Sequence, residues 1–330
     1  MLDPADWRLA RIDTDVPVLL VVVDTEEEFD WARPLARENV SVGAIGAQRR
    51  AHRIFERIGL KPTYVIDYAV ASQEDGWRPL AELHADGLCT IGAHLHPWVN
   101  PPFDEPVTNY NSYPGNLPRE LEREKLTRLT DEIARRFGVR PTIYKAGRYG
   151  VGRATAALLD ELGYTVDASV VPEHDFTEDE GPDFSACSVQ PYWFGNGRRI
   201  LELPVTQGYV GWAAGLGNAL YQSAASPFGR RLKLTNCLAR LGAMERIRLS
   251  PEGMTFDEMR RLTLALRARG LKVFSFTYHS PSLAPGQTPY TPDEGAVQRF
   301  LDSCARYFDW FTGEFAGRPS TPGEVLSLAR

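Results

Sequence analysis

Apolar residues in this chain fall into short unbroken runs separated by stretches with helical spacing. The first run is Val-Leu-Leu-Val-Val-Val at residues 18–23, and it ends in Asp24, Thr25 and Glu26. An unbroken β-branched run of this kind reads as a central parallel strand, buried on both faces. Runs at 61–67, 89–94, 141–146, 164–170, 199–205 and 271–278 predict six more strands. Between them the spacing predicts helices over about 44–58, 79–86, 118–137, 154–162 and 255–269, and a last one from 292 to about 311. In the first of these, Ala47, Ala51, Ile54, Phe55 and Ile58 share a face. Gly59, Gly87, Gly138, Gly163 and Gly270 stand where helices should stop. Thr255 with Glu258, and Thr291 with Glu294, have the spacing of capping boxes.

The alternation gives about seven β/α units. It predicts an α/β fold, a distorted seven-stranded (β/α) barrel, closed or slightly open, occupying residues 1–330 as one domain. No GxGxxG follows the first strand, which removes the main signal for a dinucleotide-binding sheet. Two stretches break the rhythm. Residues 99–116 are rich in Pro and Asn and predict a long, structured loop, a kind that is often functional. Residues 207–245 carry aromatics, glycines and the basic patch Arg230, Arg231 and Lys233, and are expected to form a helical insertion.

Composition narrows the partners. A hydrophobic share of 43% and a charged share of 24% are ordinary for a globular enzyme. A net charge of −6 argues against nucleic acid, which favours a basic face. The four cysteines are far apart, with no CxxC pair, so neither a disulfide framework nor a thiolate zinc site is expected. The stretch Met1–Asp6 lacks a basic leader region, and the first apolar run is too short to span a bilayer. The expectation is a cytoplasmic protein without a membrane partner, in which a homo-oligomer is compatible with the sequence.

Chemistry gathers at the carboxyl ends of the expected strands. These ends give Asp24 and Glu26, His94 and His96, Arg148, Glu202, and His279. In a barrel such ends meet at one face, where ligands bind. Carboxylates and imidazoles without thiolate suit zinc or another first-row divalent ion. In an extended segment His94 and His96 would lie roughly 6.6 Å apart on one face, close enough to converge on one ion. The plainer alternatives are a solvated acidic loop after Asp24 and a histidine ring packed on Trp98. His52 and His84 read as surface or satisfied histidines, and His174 as ambiguous. The aromatics Trp31, Trp98, Tyr149 and Tyr278 neighbour the polar positions, where they could stack on a sugar face.

These residues resemble the polysaccharide deacetylases with the NodB-type fold, over roughly residues 18–285. Asp24–Thr25–Glu26 resembles their first motif, and Ile91–Gly92–Ala93–His94 the second. Gly147–Arg148–Tyr149–Gly150 is similar to the third, Glu202–Leu203–Pro204–Val205 to the fourth, and Phe276–Thr277–Tyr278–His279 to the fifth. The resemblance implies that Asp24 is the catalytic base, that Glu26 and His94 bind metal, that Arg148 orients the base, and that His279 is the general acid. The chain departs from the family pattern in placing Trp98 where a second histidine usually stands, with His96 two residues after His94. Glu26 replaces the usual metal-binding Asp, displaced by one residue, and the Pro between Arg148 and Tyr149 is missing.

The expectation is a metal-dependent deacetylase cleaving a non-peptide C–N amide bond. Glu26, His94 and His96 would hold zinc, with cobalt, manganese or nickel as alternatives. Trp31, Trp98, Tyr149 and Glu202 would bind an N-acylated sugar. Three rivals stay open: a hydrolase of a small cyclic amide or ureide, a non-catalytic sugar- or metal-binding relative, and a glycosidase using Asp24 and Glu202 without metal.

Overall fold

Val18–Thr25 forms β1, and all eight of its residues are buried. Six further strands run parallel to it: β2 (Thr63–Ile66), β3 (Thr90–Leu95), β4 (Ile143–Ala146), β5 (Val166–Asp167), β6 (Ile200–Glu202) and β7 (Val273–His279). The computed structural model describes residues 7–195, 197 and 199–330. The leader reading at Met1–Asp6 and the Arg230 side chain lie outside that description.

The parallel strands are ordered β6-β5-β4-β3-β2-β1-β7. Three antiparallel or edge pairings extend them to a sheet of ten: Tyr192–Phe194 on β6, Arg8–Leu9 on that strand, and Arg318–Pro319 on β1. Of the two expected forms, closed or slightly open, the ladder does not show the closed seven-stranded barrel, because β6 and β7 do not pair. The sheet curls instead. Thr206, beyond β6, donates its N–H to Ser275 O (3.3 Å) and accepts the Ser275 N–H on its hydroxyl (2.8 Å). Leu249 N–H donates to Thr206 O, and Thr277 N–H donates to Leu249 O. Irregular backbone seals the seam that a strand pair would have closed.

Side-chain parity sets what faces where. Val18, Leu20 and Val22 join Val65, Ile143, Val166, Leu201 and Val273 inside the curl. Leu19, Val21 and Val23 pack outward with the helices in the main core. Because strand side chains alternate, Asp24 continues the inward row of β1. Lys145 continues that of β4 above Ile143, and His279 that of β7 above Val273. The lower interior is apolar and the carboxyl end polar. Ile12 from the N-terminal segment, and Val325 from the C-terminal helix Pro322–Leu328, add to the apolar lower part. That helix lies beyond the last one expected.

Other elements differ in detail. Strands Gln207–Val210 and Glu245–Arg248 pair antiparallel and enclose helices Gly217–Ala225, Pro227–Arg231 and Leu234–Arg240. Residues 207–245 thus hold strand as well as helix. The capping box at Thr255 forms. The helix Glu294–Thr312 is capped by Asp293 rather than Thr291, whose hydroxyl meets that of Thr288. Residues 99–116 are pinned by Lys125. Its buried ammonium donates to the carbonyls of Pro97 and Asn100 and pairs with Glu105 at 3.0 Å. No described helix is long and apolar enough to cross a membrane.

Candidate functional site

Strand register brings the expected residues together. His279 pairs with Asp24 across β7 and β1, and His94 with Lys145 across β3 and β4. Glu26, one residue past β1, is buried beside them. His94 Nε2 and His96 Nε2 each lie 3.5 Å from the same oxygen, Glu26 Oε2. The ligand atoms of all three residues fall within 4.8 Å of one another.

The backs of the rings are held. His94 Nδ1 lies 2.8 Å from Lys145 O and donates there, which turns Nε2 toward Glu26. His96 Nδ1 lies 2.8 Å from Glu27 Oε2, and its ring stacks on Trp98. Trp98 Nε1 donates to the other Glu27 oxygen at 2.7 Å. Partners of this kind fix the ring orientation of metal-ligating histidines. Burial lowers the His96 pKa to about 4, with the neighbouring His94 adding to the effect, so this ring is neutral at pH 7. Glu27, which the plainer alternative places in a solvated acidic loop, is fully buried. Burial pushes its pKa up to about 7 and that of Asp67 well above the carboxylate range.

The donor set fits a divalent ion. Two imidazoles and a carboxylate form a common three-residue protein set for catalytic zinc. Glu26 Oε1 is buried without a hydrogen-bond partner, an expensive state unless something binds it. A second cluster, Glu27, Asp67 and His96, is also compact. Its oxygens are already used by His96, Trp98, the Glu27 N–H and the Val70 N–H.

Asp24 is buried, and its partner is Lys145. The ammonium donates to both carboxylate oxygens, at 2.6 and 2.8 Å, and to Thr277 Oγ1 at 2.9 Å. Burial alone would raise the Asp24 pKa, but Lys145, then His94 and His279, outweigh it and hold it below its ordinary value. Arg148 does not reach Asp24. Its guanidinium pairs with Asp179 and donates to Asn109 Oδ1 at 2.7 Å. The chain turns there through left-handed conformations, φ 52° at Arg148 and 61° at Tyr149, and the guanidinium meets Asp179 rather than Asp24.

His279 Nε2 lies 3.7 Å from Asp24 Oδ2. On the other side Glu252 accepts from both His279 Nδ1 (2.8 Å) and the His279 N–H (3.0 Å). Burial would lower the His279 pKa. The carboxylates of Glu252, Glu26 and Asp24 reverse that and hold it well above the usual imidazole value. Sequence reading missed Glu252 because it lies in a loop without pattern, 27 residues before its partner.

These groups open into a cleft of about 490 Å³ whose walls include Trp31, Trp98, Tyr149, Arg148 and Arg248. Trp31 meets the His279 ring edge-on at 5.0 Å. Glu202 does not line the cleft. Its neighbours Leu201 and Leu203 take the inward positions, so Glu202 faces the helix layer, where it accepts the Val170 N–H and lies opposite Asp167. His174 is stacked on Phe176. His52 is buried against the Tyr64 hydroxyl.

No protein-family model and no curated protein matches the sequence. Solved structures do match in shape. A Mycobacterium smegmatis protein provisionally classed as a polysaccharide deacetylase superposes with a TM-score of 0.55 at 16% identity, over 99% of this chain and 94% of that one. The chain has the polysaccharide deacetylase fold. The same deacetylase fold is matched by a PuuE allantoinase, with a TM-score of 0.56 at 15% identity over 94% of this chain and 89% of that one. A 4-alpha-glucanotransferase from Thermococcus litoralis matches with a TM-score of 0.50 at 15% identity, over 94% of this chain and 40% of that one. At these identities the likeness is one of fold.

Proposed function

We propose that this protein is a metal-dependent hydrolase that removes an N-acyl group, in the first instance N-acetyl from an amino sugar. The observation that carries the reading is the convergence of His94 and His96 on one oxygen of Glu26, beside the Asp24–His279 pair. Glu26, His94 and His96 would hold the ion, zinc first, with cobalt, manganese or nickel as alternatives. Such an ion lowers the pKa of a water toward neutrality and polarises an acyl carbonyl.

The chain's own groups handle the protons. Asp24, kept ionised and aimed by Lys145, takes the proton of the attacking water. The water oxygen bonds to the acyl carbon, and the C–N bond breaks. His279, held protonated and oriented by Glu252, supplies the proton that the leaving amine needs. Lys145 thus takes the role expected of Arg148. Trp31, Trp98 and Tyr149 offer apolar faces around the reacting centre.

A second reading keeps this centre and makes the substrate a compact amide or ureide rather than a polymer. The cleft's size favours it, since about 490 Å³ falls within the range of small-molecule sites. We also read the chain as one domain in which residues 207–245 are an insertion between β6 and β7.

The test is metal analysis of protein purified without chelator, coupled to product assays on N-acetylated sugars and small amides. About one equivalent of metal, lost in Glu26→Gln and His94→Ala, is expected. Acetate release favours the first reading, and ammonia or ring-opened products favour the second. Protein that neither holds nor responds to zinc, cobalt, manganese or nickel contradicts both.

A further inference from the structure

Each cation around the cleft has a carboxylate partner, with one exception. Asp24 is matched by Lys145, Arg148 by Asp179, and Arg33 by Asp30. His279 is matched by Glu252. Arg248 lines the same cleft, yet among the described residues no carboxylate lies within ion-pair distance of it. Its bonds are to neutral oxygens: Nε donates to Gln207 Oε1 at 3.2 Å and Nη1 to the Tyr149 hydroxyl at 3.2 Å.

Those two bonds aim the guanidinium without neutralising it. Arg248 is half-buried, at the end of the strand Glu245–Arg248, so its backbone is fixed. The ring of Tyr149 lies 5.4 Å from Arg248 Cζ and 5.3 Å from Lys145 Nζ. One aromatic ring therefore neighbours both Arg248 and the Lys145 of the buried Asp24–Lys145 pair. A divalent ion on the single carboxylate of Glu26 would leave further positive charge uncompensated. A half-buried, oriented and unpaired guanidinium fits a carboxylate through charge-assisted hydrogen bonds.

We infer that Arg248 is an anion subsite, and that the substrate is a compact N-acyl or ureido compound carrying a carboxylate near the scissile amide. This rests on the hydrolase reading above and narrows its substrate. The Tyr149 ring next to both cations would pack against the short linker between the acidic group and the amide. A neutral glycan offers nothing that would compensate Arg248.

Two hydroxamates test it: succinic acid monohydroxamate, which carries a carboxylate, and its neutral primary-amide counterpart. Calorimetry on zinc-loaded protein should give the acid a Kd about tenfold or more below that of the amide. That gap should vanish in Arg248→Gln and survive in part in Arg248→Lys, with the Kd of the neutral compound unchanged. Equal affinities in the native protein, or a gap that persists in Arg248→Gln, would overturn the subsite while leaving the metal centre standing. If neither hydroxamate binds, the metal centre fails, and metal-free protein decides the subsite. Succinate binding that exceeds succinamide binding and is lost in Arg248→Gln supports it. Equal or absent binding of the two overturns it.

Discussion

Lys145 Nζ bridges both carboxylate oxygens of Asp24, at 2.6 and 2.8 Å, and both residues are buried. The pair joins the inward rows of β1 and β4, which have β2 and β3 between them, above the apolar interior. Removing one partner of a buried pair strands the other's charge, typically at a cost of about 3–5 kcal/mol. Lys145→Met should therefore destabilise by about that amount in denaturant unfolding at neutral pH. The sign with pH follows from the Asp24 pKa, which is lower folded than unfolded. The stabilisation is present above the ordinary carboxylate pKa and fades as pH falls through the folded value. The gap between wild type and variant should shrink in acid, and a gap independent of pH would contradict the pairing.

Asp24→Asn separates chemistry from metal binding. Asp24 lies outside the Glu26, His94 and His96 cluster. Metal content measured by mass spectrometry should stay near that of wild type. Turnover should fall by about 10²–10⁴-fold, the usual worth of a positioned base. Retained turnover would remove Asp24 from the mechanism.

The inward row was readable from sequence as far as its chemistry is local. The abrupt end of an apolar run at Asp24, and the pair His94 and His96 after another, mark positions that the fold brings together. The rest was not readable. Lys145 stood inside a run taken for plain strand, and only its register against His94 and parity with Ile143 aim it at Asp24. Arg148 follows the strand by two residues, but two left-handed residues turn it away. Glu202 has the right residue type on the wrong parity, which no motif reveals. Glu27 and Glu252 act only through tertiary neighbours, so local pattern carried no sign of them.

Glu252 should govern the alkaline side of the pH profile. The His279 pKa is raised in the folded protein, where Glu252 is the leading favourable charge. Activity that needs protonated His279 should persist well above pH 6.5 and fall as the pH passes the folded value. In Glu252→Gln that alkaline limb should move to lower pH, while the acidic limb set by Asp24 stays in place. Rates measured across pH 4–10 check this, and an unmoved alkaline limb would exclude His279 as the acid.

Gly147 is a packing requirement of the centre. A Cβ there would lie 2.4 Å from Leu95 O and 2.5 Å from His96 Cδ2, both impossibly close. Gly147→Ala should displace the His96 ring and weaken metal affinity, by about 10–100-fold if it acts as loss of an outer-shell partner does. Titration against a competing chelator measures it. Affinity equal to wild type would mean that His96 is not a ligand.

Anomalous diffraction at the zinc edge, on crystals soaked in zinc, addresses the centre itself. One strong peak is expected, within about 2.0–2.2 Å of Glu26, His94 Nε2 and His96 Nε2. A peak between Glu27 and Asp67 instead, or none within reach of these three residues, would contradict the assignment.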